Sequence, residues 1–130
     1  MNLVKIALPI IFSLSLFTIN NALAADDKAS AATRTMADIM ITLRHFPSDT
    51  DQDKLAKLAA GSAASADEKT IAQALMHVKH KVADADKPKL MAITKDVAAS
   101  AAVKSLASIL LSLNHQPSDA DTAELKKISN

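Results

Sequence analysis

Apolar residues recur along this chain at the spacing of one face of a helix. Met36, Ile39, Met40 and Leu43 form a first stripe, widened by Ile41. Ile71, Ala74, Leu75 and Val78 form a second, and Leu106, Ile109, Leu110 and Leu113 a third, where Leu111 leaves little polar face. Each stripe is followed by a shorter one: Leu55 and Leu58, Leu90 and Ile93, Leu125 and Ile128. The pattern predicts three A helices, the first over 31–45, and three B helices over about 49–60, 84–95 and 119–128.

The stripes agree in a single ungapped register because the chain repeats itself. Leu43-Arg44-His45-Phe46-Pro47-Ser48-Asp49 returns as Val78-Lys79-His80-Lys81-Val82-Ala83-Asp84 and again as Leu113-Asn114-His115-Gln116-Pro117-Ser118-Asp119, each copy 35 positions after the last. Such a period is the mark of a stacked supersecondary unit, here with units of about 28–62, 63–97 and 98–130. The length matches that of tetratricopeptide repeats, but the aromatic and glycine positions of that consensus are absent, so no family is assigned.

Local chemistry supplies the element ends. Pro47 and Pro117 disfavour helical geometry in the residue before them. Ser48 and Ser118, with acids just behind, suit the start of a B helix. In the second unit Asp84 or Asp86 takes that place, with Pro88 in the first turn. Gly61 suits a helix C-terminus, Ser65 to Glu68 has the composition of a capping box, and Ser30 is available to cap the first A helix. Neither glycine nor proline interrupts 93–113, so a continuous helix over 86–115 is the alternative. The capping residues favour an all-α fold of three helical hairpins, a small bundle or short solenoid, over an up-and-down bundle of long helices.

The N-terminus carries a different pattern. Lys5, an apolar run from Ile6 to Phe17, and Ala22-Leu23-Ala24 predict a signal peptide over 1–24, a single domain over 25–130, and a periplasmic or secreted protein. No stable membrane span is expected after cleavage. The absence of cysteine removes disulfides and thiolate metal sites. Of 15 basic and 14 acidic residues only Lys5 leaves with the leader, so the remaining chain is formally neutral. With Phe46 its one aromatic residue, it offers neither the basic stripe nor the stacking surface of a nucleic-acid binder.

Candidate chemistry centres on histidine. Placed in the last turn of each A helix, His45, His80 and His115 would face the helix dipole, with Asp49, Asp84 and Asp119 at the next helix start. That gives a structural or pH-responsive corner. A second reading is a metal site. Met76, His77 and His80 lie at spacings that let soft or borderline ligands share one ion, copper being the natural choice. The pair Met36 and Met40 has similar spacing, although methionines so placed usually fill a core. Haem has less support, since no C-x-x-C-H is present. A calcium loop at Asp49 to Asp53 fails for lack of the glycine and glutamate it requires. No nucleophile elbow, phosphate loop or H-E-x-x-H occurs. The expectation is a non-enzymatic exported helical repeat protein without a cofactor, a protein- or peptide-binding, scaffold or stress/chaperone-like module, the alternative being a copper-type or haem-binding protein using the His and Met residues.

Overall fold

The structure is a computed structural model and describes residues 28–130; the expected leader over 1–24 lies outside the described residues. Six helices and no β-strand are described: α1 (Ala31–Thr42), α2 (Asp49–Ala60), α3 (Ala66–Met76), α4 (Lys87–Lys95), α5 (Ala101–Ser112) and α6 (Asp119–Ser129). The chain is all-α, packed as a small bundle. The continuous-helix alternative does not occur. Asp96 ends α4 in extended backbone and its carboxylate accepts from the Ala98 N–H, while Ser100 opens α5 by accepting from the Val103 N–H.

The caps follow the residue chemistry. Ser30, Ser48, Ser65 and Ser118 each accept a backbone N–H at a helix start, and Ser65 forms its capping box with Glu68. Gly61 caps α2 at φ −75°, so positive φ is not what it supplies; a Cβ there would stand 2.9 Å from the Lys57 carbonyl oxygen. The second B helix starts at Lys87 rather than at Asp84. Its N-cap Asp86 makes no side-chain cap, because that carboxylate is engaged with His77. Pro88 occupies the first turn as expected.

Helices α1, α3 and α5 contact one another, and the B helices lie outside them, α2 along α3 and α4 along α5. Helix α6 packs along α1, so the array closes on itself. Equivalent side chains form layers: Met36, Ile71 and Leu106, then Met40, Leu75 and Leu110, all fully buried. The outer helices add Leu55, Leu90 and Leu125, also fully buried. Met36 and Met40 are therefore core residues.

The inner helices share a direction. Ser30, Thr33 and Ser65 all hydrogen-bond to Glu68 where α1 and α3 begin. Ser100 and Val103 border the same end. The three histidine corners meet at the other. Three positive helix ends thus gather around the Glu68 carboxylate, and three negative ends point towards the histidines.

Candidate metal centre

The A helices end before the histidines, at Thr42, Met76 and Ser112. The corner histidines therefore do not occupy a last helical turn. The reason is packing: Leu43, Val78 and Leu113 are buried just past the helix, and Pro47, Val82 and Pro117 are buried on the other side of the corner. Between those two anchors the chain turns sharply and exposes three residues, with a histidine at each tip. The flanking residues bridge across the tip, Arg44 with Phe46, Lys79 with Lys81 and Asn114 with Gln116.

Such a turn places its central residue in left-handed backbone. His45, His80 and His115 have φ of 61°, 67° and 66°, and no other non-glycine residue among those described has positive φ. The three tips then bond to one another in a cycle. The His45 N–H donates to the His115 carbonyl at 2.8 Å, His80 to His45 at 2.6 Å, and His115 to His80 at 2.6 Å. The side chains meet inside this frame. Their Nδ1 atoms form a triangle with sides of 3.0, 3.1 and 3.0 Å, and their rings stand edge to face with interplanar angles of 69° to 81°.

Protons cannot satisfy this triangle. A neutral imidazole nitrogen carries either a hydrogen or a lone pair. Among three such atoms at least two are alike, so at least one short contact sets donor against donor or lone pair against lone pair. One cation would resolve the conflict by accepting all three lone pairs. The triangle's centre lies about 1.8 Å from each nitrogen, close to the usual metal–imidazole distance of about 2.0–2.1 Å, so His45, His80 and His115 could hold one ion through Nδ1. All three histidines are exposed, so such an ion would have coordination positions open to solvent. The converging negative helix ends favour positive charge there as well.

The residues singled out in the sequence divide. His80 belongs to the triangle. His77 does not: its Nδ1 lies 2.8 Å from Asp86 Oδ2, and Lys89 approaches the other oxygen of that carboxylate at 3.8 Å. Met76 is half-buried against the core, its carbonyl accepting from Gln52 Nε2 at 3.2 Å. The corner aspartates lie apart from the histidines. Asp49 and Asp119 open α2 and α6, and Asp84 pairs with Lys87 at 2.6 Å, which holds its carboxyl below the ordinary carboxylate value. Among the described residues the one histidine–carboxylate pair is His77 with Asp86.

Sequence reasoning saw the equivalence of His45, His80 and His115 but not their meeting, because residues 35 and 70 positions apart touch only once the array closes. The signal available was the repeat itself, which put the same metal-binding side chain at the same corner three times. Compared with family models, curated proteins and solved structures, the chain matches none.

Proposed function

We propose that this chain is an exported metal-binding protein that holds one divalent transition ion on the Nδ1 atoms of His45, His80 and His115. The observation that carries this reading is the closed cycle of backbone hydrogen bonds that fixes three imidazole nitrogens 3.0–3.1 Å apart. Three neutral imidazoles suit zinc, copper or nickel, and no thioether or thiolate draws the choice towards copper(I). The exposed position keeps the ion within reach of solvent, which fits uptake and transfer better than a buried structural role. The N-terminal pattern of Lys5, the apolar run and Ala22-Leu23-Ala24 supports export. Among the described residues the exposed large apolar side chains, Phe46, Met91 and Val97, lie on a corner, on α4 and in a loop. We infer that binding is the task of this corner, where the repeat supplies three equivalent ligands.

The test is calorimetric titration of chelator-stripped protein with Zn2+, Cu2+ and Ni2+. One ion per chain is expected, with His45→Ala, His80→Ala and His115→Ala each weakening it at least tenfold and His77→Ala leaving it in place. Binding that survives all three corner substitutions, or no binding to the stripped protein, overturns the reading.

A further inference from the structure

Resting on the three-histidine centre, we infer that the outward side of the bound ion takes a small oxyanion from solution, an inorganic phosphate or a carboxylate, so that the protein binds metal and anion together. Three protein nitrogens leave a zinc or copper ion short of its usual coordination. What completes it is decided by the rim.

The rim consists of the residues on either side of each histidine. Arg44, Phe46, Lys79, Lys81, Asn114 and Gln116 are all exposed and are bridged in pairs across the tips. Three carry positive charge and none carries negative charge. Arg44 reaches from the first corner to the third, its Nη1 donating to Gln116 Oε1 at 3.4 Å, so its guanidinium lies along the ring's edge. None of Arg44, Lys79 and Lys81 joins an ion pair among the described residues, whereas Lys54, Lys87, Lys89 and Lys127 elsewhere do. Around three neutral imidazoles this chain therefore places three uncompensated cations, and a divalent ion brings more positive charge still. A guanidinium matches the paired oxygens of a carboxylate or phosphate, and ammonium groups add unspecific attraction. The same charge disfavours the other way of completing the ion, a second copy placed face to face, because two such rims would repel.

The experiment uses the Cu2+-loaded protein and azide as a spectroscopic probe, whose charge-transfer absorption appears on binding copper. One saturable azide site per copper is expected, with inorganic phosphate and acetate displacing the azide and added salt weakening all three. In the Arg44→Gln/Lys79→Gln/Lys81→Gln protein, anion affinity should fall about tenfold, while copper binds at least as tightly because positive charge has been removed. An unaltered copper spectrum in azide and phosphate overturns the inference and leaves the metal reading standing, as does equal anion affinity in the neutralised protein. One ion shared by two chains in sedimentation assigns the outward positions to a second copy and likewise overturns it. Failure to load any of Cu2+, Zn2+ and Ni2+ removes the metal reading and the inference together.

Discussion

At the scale of the residue, the corner histidines occupy backbone that glycine would occupy at less cost. Left-handed geometry disfavours an L side chain by roughly 1–2 kcal/mol, and three histidines adopt it at φ between 61° and 67°. A strained conformation that recurs with the same side chain points to a use for that side chain. His80→Gly separates the two roles. Metal-free protein should be as stable as the parent or more so, by up to about 1 kcal/mol in urea unfolding, while metal affinity falls at least tenfold. A simultaneous loss of stability and of affinity would show that the imidazole serves the fold instead. Histidine was visible at these positions in sequence, but its backbone state was not. Left-handed geometry here comes from burying Leu43 and Pro47, and their equivalents, on both sides of one tip, and no local residue pattern encodes that.

At the scale of the element, most of the architecture was legible. Helix starts at Ser30, Ser48, Ser65 and Ser118, the end at Gly61, and Pro88 in a first turn all follow from local hydrogen-bonding needs. The end of the second B helix at 95 was expected, and the break after it is made by an aspartate and a serine without glycine or proline; what escaped was the late start of α4. Also illegible was the second task of Glu68. This residue is 5% exposed and completes the capping box while accepting from Ser30 and from Thr33 at 2.7 Å. Burial pushes its carboxyl up, but the hydrogen bonds from Ser30, Thr33 and Ser65 outweigh that and hold it below its ordinary value of 4.5. A depressed carboxyl contributes stability that is present above its unfolded value and is lost as pH falls through the folded one. The protein should therefore lose stability progressively below about pH 4.5. Glu68→Gln should cost about 1–3 kcal/mol at neutral pH and flatten that acid limb, both read by denaturant unfolding across pH. An unchanged acid limb would show that Glu68 is not its origin.

At the scale of the whole molecule, the bundle's inner layers, its closure and its site are one arrangement. Leu110 is fully buried in the layer with Met40 and Leu75, and Leu110→Ala should cost about 2–5 kcal/mol in thermal or urea unfolding. Metal binding should offset part of that loss in proportion to the logarithm of free metal concentration. The seating of α6 along α1 has a consequence of its own. Lys28 and Ala29 border the same groove as Ile128 and Asn130, so the described chain ends where it began. In such a circle covalent order is a matter of where the polymer is cut. A circular permutant with 130 tied to 28 by a short glycine-serine tether, and new termini opened beside the solvent-exposed Val97, should retain native circular dichroism and bring the three imidazoles together from a different reading order of the same units.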